Sequence, residues 1–332
     1  MADAPWASRL MDMAELTTPM AIRVAATLRV ADHILAGATH VDAIAERAEA
    51  DPGGLIRVLR HLAAVGVLRA TDPGCFELTA IGRELREQGP GDPRSWLDVT
   101  TASSRADLAL VGLLDAVRIG KPVSAQDWGD LDRDVELSDS FDDQMAVGAA
   151  AKAPALIEGY DWSTVEHVVD VGGGNGTLLA ELLRARPGLR GTVVDRPHPV
   201  EGAERRLAAE GLADRAESRA QSFFDALPTG GTVYLLSGVL HDWPDPDAAR
   251  ILSRCAEAAG ASGRVLVMES LVEPDDMRPS TTGMDLMLLV VTGGRARSAE
   301  DLTALAATAG LALESSSALR PPHSLLEFTT TR

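Results

Sequence analysis

Residues 168–176 read Val-Val-Asp-Val-Gly-Gly-Gly-Asn-Gly. A short apolar run carries an acid, Asp170, and opens at once into a loop almost without side chains. Gly172, Gly174 and Gly176 keep a G-x-G-x-G spacing. Without Cβ atoms the backbone turns sharply at the carboxyl end of a strand and comes close to a ligand. The helix expected next, from about Thr177 to Ala185, offers its first amides to the same place. The stretch marks a nucleotide-type cofactor site in an α/β domain. A Gly-rich βα turn without a ligand is the plain alternative, and the second acid described next weighs against it.

A dinucleotide fingerprint, G-x-G-x-x-G, needs a glycine at position 177, where the chain has Thr177. Asp195 closes the next apolar run, Thr192-Val193-Val194, and an acid there accepts hydrogen bonds from ribose hydroxyls. Asp170 repels a pyrophosphate but suits an ammonium group. Together these features favour S-adenosylmethionine, an adenosine joined to a zwitterionic amino acid with no phosphate.

Composition narrows the partners. The 332 residues allow two domains, and 31 basic against 49 acidic side chains give a net charge of −18. That balance argues against nucleic acid and against anionic membrane surfaces. Met1–Leu16 shows no signal pattern, and the longest aliphatic run, Leu286–Val291, is too short to span a bilayer. A cytoplasmic location is expected. Cys75 and Cys255 lie in no C-x-x-C arrangement, and the seven histidines show no metal-binding spacing, so no metal is expected.

From Pro19 to Leu35 apolar residues recur at helical spacing, and two further helices are expected over 41–48 and 52–65, the latter capped by Asp51 before Pro52. Residues 67–69 and 75–78 then read as a small hairpin. Helix, helix and hairpin form a winged-helix pattern. Between Val41 and Arg86, however, seven acids face six arginines, so no basic face is left to grip DNA, and packing or dimerisation is the expected use. Helices are expected over 96–118 and 137–159. Beyond Asp161, strands at 167–171, 191–195, 217–220, 232–237 and 264–269 alternate with helices, the βαβ pattern of a doubly wound sheet. Residues 311–315 and 324–329 read as a terminal antiparallel pair. The expected division is therefore 1–95, a helical connector over 96–160 and a cofactor-binding domain over 161–332.

His241-Asp242-Trp243-Pro244 follows the fourth of these strands, on the edge where α/β enzymes keep their ligands. A histidine titrating near neutrality suits removal of a proton from a phenol. A surface-loop histidine is the alternative, which the neighbouring Trp243 disfavours. Glu269 ends the adjacent strand and suits the task of orienting the imidazole, although an arginine partner would explain it equally. Phe223-Phe224 can pack on an adenine or in the core. Met284 and Met287, with Phe141 and Met145 on an earlier helix, read as core or as the lining of a flat apolar cleft.

The sequence resembles the class I S-adenosylmethionine-dependent O-methyltransferases of the plant caffeic-acid and bacterial polyketide type. The marks are residues 18–28, Thr-Pro-Met-Ala-Ile-Arg-Val-Ala-Ala-Thr-Leu, then Asp170–Gly176, Leu240-His241-Asp242-Trp243-Pro244-Asp245 and Gly293-Gly294-Arg295. Trp96-Leu97-Asp98 and Tyr160-Asp161-Trp162 most resemble the actinobacterial branch that tailors anthracyclines. The resemblance implies a Rossmann-like seven-stranded methyltransferase sheet with an N-terminal winged-helix dimerisation domain. It implies that Asp170 and the glycines hold the amino-acid part of the cofactor, Asp195 the ribose, and Ser222 with Phe223 the adenine, with Ser237 also facing it. His241 aligns with the general base and Glu269 with one flanking carboxylate. Phe141, Met145, Asp242, Trp243, Met284 and Met287 are expected to line the aromatic substrate. A homodimer is implied, with residues near Trp6–Met20 reaching the partner's substrate site.

Three departures stand out. Gln221-Ser222-Phe223-Phe224 replaces Gly-Asp-Phe-Phe, so a hydroxyl stands where an acid is expected at the adenine amino group. Gly294-Arg295-Ala296-Arg297 lacks the second glutamate of G-G-x-E-R. Trp128 is the only large ring of Ser124–Asp132, a segment usually richer in aromatics. The expected activity is methylation of a hydroxyl on an aromatic polyketide. Non-methylating chemistry on the same fold, hydroxylation or decarboxylation, is the alternative within enzymes, and a ligand-sensing winged-helix regulator the alternative outside them.

Overall fold

The computed structural model describes residues 9–89, 91–123, 128–273 and 275–331, so Trp6 and residues 124–127 lie outside the description. Two compact units divide the chain between Arg105 and Ala106. The first unit begins with α1 (Arg9–Ala14), α2 (Thr17–Thr27), α3 (Val30–Leu35), α4 (Val41–Arg47) and α5 (Pro52–Ala64). The single helix expected over 19–35 is two, because Arg29 takes a left-handed φ of 50° at the start of α3. Asp51 caps α5, accepting the Gly54 N–H at 2.6 Å, with Pro52 in the first turn. Leu55, Leu59 and Leu62 of α5 pack on Ile44 and Phe76. The hairpin pairs β1 (Leu68–Ala70) with β2 (Phe76–Leu78), Leu68 opposite Leu78.

The helix expected over 96–118 is also interrupted. α6 (Pro93–Leu97) stops where the Asp98 carboxylate accepts from the Thr100 N–H and hydroxyl, at 3.0 and 2.7 Å. These local side-chain bonds compete with the helical ladder. α7 (Ala102–Leu108) and α8 (Leu113–Ile119) follow, joined by one 3-10 turn.

In the second unit come α9 (Trp128–Arg133) and the 25-residue α10 (Val135–Gly159), then the alternating part: β3 (His167–Val171), α11 (Thr177–Ala185), β4 (Arg190–Asp195), α12 (Pro197–Ala209), β5 (Ala216–Ala220), β6 (Val233–Ser237), α13 (Asp245–Ala259) and β7 (Arg264–Ser270). α14 (Pro279–Val291), α15 (Ala299–Thr308), β8 (Leu311–Ala318) and β9 (His323–Thr330) complete it. The strands form a seven-stranded sheet in the order β5-β4-β3-β6-β7-β9-β8. β3 to β7 run parallel, β9 lies antiparallel to β7, and β8 antiparallel to β9. Apolar layers cover both faces: Leu179, Leu182 and Leu235 on one, Tyr234, Leu236, Ile251 and Phe328 on the other. A parallel sheet covered on both sides needs such unbroken apolar strands. Strand order reverses between β3 and β6, and there the crevice for a ligand opens at the carboxyl edge.

α1 buries none of its residues: Leu10, Met11 and Met13 are exposed, as is Leu16 just beyond it. So apolar a terminus calls for cover by a second copy. Light scattering of the full chain is expected to give a homodimer, and a form beginning at Ala21 a monomer or an aggregate.

Candidate active site

The glycine loop leaves β3 at the reversal point. Gly172, Gly174 and Gly176 all have positive φ, from 57° to 75°, a region closed to most side chains. Gly173 has a different reason to be glycine: a Cβ there would lie 2.8 Å from the Asp170 carboxyl, on which the loop sits. Burial pushes the Asp170 carboxyl up to about 7, with Lys152 pulling it down and Asp195 adding to the rise. Its Oδ2 is buried without a hydrogen-bond partner, and so is Oγ of Ser237 at the end of β6. Unsatisfied buried polar atoms are costly, and two of them on either side of the reversal point suit a polar ligand. An ammonium meets the first, and a carboxylate can accept from the hydroxyl of the second, which fits the zwitterionic amino-acid end of S-adenosylmethionine. Asp195 also braces the loop, its Oδ2 accepting the Gly174 N–H at 2.7 Å while Oδ1 accepts the Arg196 N–H at 2.7 Å.

Across the reversal point, β6 ends at Ser237 opposite Met268 of β7, which brings Glu269 under the turn that follows β6. Glu269 Oε2 lies 2.6 Å from Nδ1 of His241, and Oε1 accepts the Leu240 N–H at 3.0 Å. One carboxylate thus fixes both the ring and the backbone beside it. Burial by itself depresses the imidazolium, but Glu269 and then Asp242 outweigh it and raise His241 to about 9. Burial raises Glu269, and the charge and hydrogen bond of His241, helped by Lys152, hold it below the usual range. The pair is therefore an imidazolium and a carboxylate at neutral pH. Asp242 Oδ1 stands 3.8 Å from Nε2 on the other side of the ring.

The 293–297 segment locks this turn from outside. A Cβ at Gly294 would fall 1.9 Å from the His241 carbonyl oxygen, so only glycine passes there. The buried guanidinium of Arg297 donates to the carbonyls of Leu240 at 2.6 Å and Trp243 at 2.7 Å, and pairs with Asp245 at 2.8 Å. Ala296, where a second glutamate was expected, donates its N–H to Asp285 at 2.7 Å.

Aromatic rings gather beside the turn. Trp243 meets Phe223 and Phe224 edge-on at 5.7 and 4.8 Å and lies near-parallel to Trp128 at 6.3 Å. Trp128 also meets Phe141 edge-on at 5.8 Å and carries the Arg196 guanidinium 5.4 Å above its ring. Phe141, Phe223 and Trp243 thus come together. Ser222 is exposed, its hydroxyl accepting the Phe224 N–H at 3.2 Å. Met145 of α10 and Met284 of α14 are exposed as well, and Met287 is half-buried one turn on from Met284.

Two residues escaped the sequence reading. Arg297 was passed over as a neighbour of the missing glutamate. Lys152 sits among alanines in α10, and its ammonium donates to the Ser237 carbonyl at 3.2 Å. Its signal was compositional: among 31 basic residues only Lys121 and Lys152 are lysines.

The sheet order and the glycine loop define a nucleoside-binding methyltransferase fold. The O-methyltransferase domain model matches residues 115–312, and the O-methyltransferase dimerisation domain model matches residues 10–87. The chain belongs to the O-methyltransferase family, whose methyl donor is S-adenosylmethionine. It is 46% identical over 309 residues to 2,7-dihydroxy-5-methyl-1-naphthoate 7-O-methyltransferase of Streptomyces carzinostaticus, covering 92% of each chain. It is 45% identical to aclacinomycin 10-hydroxylase of Streptomyces purpurascens, covering 96% of this chain and 89% of that one. A crystal structure of the neocarzinostatin O-methyltransferase with S-adenosyl-L-homocysteine and 1,4-dihydroxy-2-naphthoic acid superposes with a TM-score of 0.92 at 44% identity, over 98% of this chain and 100% of that one.

Arg297→Met removes the donor that holds two loop carbonyls. Each buried acceptor left unsatisfied costs about 1–3 kcal/mol, so the melting temperature is expected to fall by several degrees and turnover to fall more than affinity for S-adenosylhomocysteine. Differential scanning fluorimetry and calorimetric titration check this.

Proposed function

We propose that the enzyme transfers the methyl group of S-adenosylmethionine to a hydroxyl of an aromatic, polyketide-derived natural product, with His241 as general base and Glu269 as the acid that orients it. The observation that carries this reading is the 2.6 Å pair of His241 and Glu269 at the same sheet edge as the unsatisfied Asp170 and Ser237. The naphthoate 7-O-methyltransferase, nearly half identical over almost the whole chain, supports the substrate class. Residues 1–95 are read as the dimerisation part, 96–160 as a helical connector and 161–332 as the catalytic domain. Among the described residues no helix is long and apolar enough to cross a membrane, and dependence on S-adenosylmethionine supports a cytoplasmic site of action.

When bound, S-adenosylmethionine supplies an electrophilic methyl on a sulfonium. Asp170 receives its ammonium, Asp195 the ribose, and Phe223 with Ser222 the adenine. Trp243, Phe141 and Trp128 offer flat apolar faces to an aromatic acceptor, with Asp242, Met145, Met284 and Met287 completing the lining. Holding the two reactants in line is the main effect, and orientation alone can remove up to about 7–11 kcal/mol of barrier. The raised His241 adds a selection on the acceptor. At neutral pH it is an imidazolium, which pairs with a phenolate, so a phenol acidified by conjugation to a carbonyl or quinone is taken in its reactive form. A weakly acidic phenol must instead find the neutral imidazole, which is scarce below pH 9.

The sign of the pH effect follows. On a weakly acidic phenol, kcat/KM rises with pH and levels off near 9, where His241 loses its proton. Glu269→Gln removes the charge that raises the imidazole, so the rising limb moves to lower pH and the plateau drops. His241→Ala is expected to lower transfer by about two to four decades at neutral pH, with part of the loss returning where the phenol ionises unaided. Initial rates from pH 6 to 10 on the wild type and both variants check this. A flat profile for His241→Ala at wild-type rate removes His241 as the base.

A second reading has specific support in the 10-hydroxylase relative and in Ala296, which leaves His241 without the second glutamate. Mass spectrometry of incubations with S-adenosylmethionine and a panel of hydroxylated naphthoates and anthraquinones separates the two. A gain of one methyl with release of S-adenosylhomocysteine is expected. A gain of one oxygen, or loss of carbon dioxide with the cofactor intact, selects the second reading.

A further inference from the structure

The charges around the site converge on one side chain that the reaction as described does not use. Lys152 enters from α10, between the two halves of the carboxyl edge. Its Nζ donates to the Ser237 carbonyl at 3.2 Å. A Cβ built on Gly238 would lie 3.4 Å from that nitrogen and 3.5 Å from Cε1 of His241, so both groups face the same methyl-sized space. Lys152 acts electrostatically on Asp170 at the end of β3, Glu269 at the end of β7, His241 on the turn after β6 and His323 at the start of β9. Asp195 and Asp242 complete the ionisable set, the first acting on Asp170 and the second on His241.

We propose that Lys152 is the positioning cation of this enzyme: one ammonium, fixed on the Ser237 carbonyl, keeps the cofactor carboxylate Asp170 and the orienting carboxylate Glu269 ionised together. Cofactor capture and orientation of the base then depend on the same charge. The proposal rests on the reading of His241 as base for its second half only.

Three observations beyond the geometry support it. Asp170 sits near 7 even with Lys152 beside it, so losing the ammonium carries it into the protonated form at physiological pH. A protonated Asp170 no longer attracts the ammonium of the cofactor. Lysine, moreover, is otherwise nearly absent: arginine fills all but two of the 31 basic positions. Either cation supplies the charge; the compact ammonium reaches a single carbonyl without the planar fork of a guanidinium. Burial depresses the Lys152 ammonium while Glu269 and Asp170 support it, so the three groups hold one another charged.

The effect runs in the same direction on the two sides of the site, since the ammonium lowers both groups. Without Lys152, Asp170 takes up its proton at higher pH. His241 also holds its proton to higher pH, because a cation that destabilised the imidazolium is gone.

The test uses Lys152→Met, which keeps length and removes charge, and Lys152→Arg, which keeps charge. Each is titrated calorimetrically with S-adenosylhomocysteine at steps from pH 6 to 8.5, and the His241 imidazole is followed by NMR. In the wild type, affinity is expected to weaken as pH falls through about 7. In Lys152→Met that weakening moves upward by about one pH unit, giving roughly three- to tenfold weaker binding at pH 7 that largely recovers by 8.5. The imidazole titrates above its wild-type value. Lys152→Arg keeps the wild-type profile of binding. A loss of affinity equal at every pH, a Lys152→Met profile identical to wild type, or the same displacement in Lys152→Arg would each overturn the proposal. Should His241 prove not to be the base, His241→Ala keeps its methyl transfer while the Lys152 dependence of binding persists, so the two failures are told apart.

Discussion

The buried carboxylate of Glu269 is the point on which the site turns. Its two oxygens take the Leu240 N–H and His241 Nδ1, so the backbone of the turn after β6 and the ring it presents are held by one group. That is possible because β6 and β7 run parallel with Ser237 opposite Met268, which puts the residue after Met268 beneath the residues after Ser237. A register slip by one residue sends the carboxylate to the opposite face of the sheet. Removing either partner of such a pair strands a charge in a poorly solvated place, so the pair and the register enforce one another.

Around that pair the site balances its charges. Asp170, Glu269 and Asp242 carry the acid, Lys152 and His241 the base; burial raises Asp242 above the usual carboxylate range and takes Asp170 up to about 7. Burial favours the neutral form of each carboxyl, and only neighbouring cations keep them ionised. A pocket arranged in this way welcomes a ligand that carries positive charge. This agrees with a family whose methyl donor is a sulfonium, and it makes the missing glutamate at Ala296 less of a loss, because Asp242 already stands beside Nε2.

The outer supports are of another kind. Arg297 and Gly294 touch neither ring nitrogen of His241, yet they set where the turn lies, one by holding two carbonyls and the other by leaving room for a third. The aromatic rings from α9, α10 and the turns after β5 and β6 close one side with flat faces rather than with hydrogen-bond donors. In the proposed reading, such a wall selects shape and planarity, while the paired imidazolium selects acidity.

Much of this was legible in the sequence. The strands, the glycine loop, and the places of Asp170, Asp195, His241 and Glu269 follow from short apolar runs alternating with helical stretches, from runs that end in an acid and from a histidine set just past a strand, because each is a local feature of the sequence. The helices over 19–35 and 96–118 were not legible as they stand, since their breaks at Arg29 and Asp98 depend on one backbone angle and on competing side-chain bonds that apolar periodicity does not register. Lys152 and Arg297 were invisible for a different reason. They act on groups 85 and 57 residues away along the chain, and only packing sets a charge from α10 against β6, or one after α14 against the turn after β6. Chemistry that a residue carries by itself can be read from its neighbours in sequence; chemistry that arises from the field of distant charges exists only once the chain has brought them together.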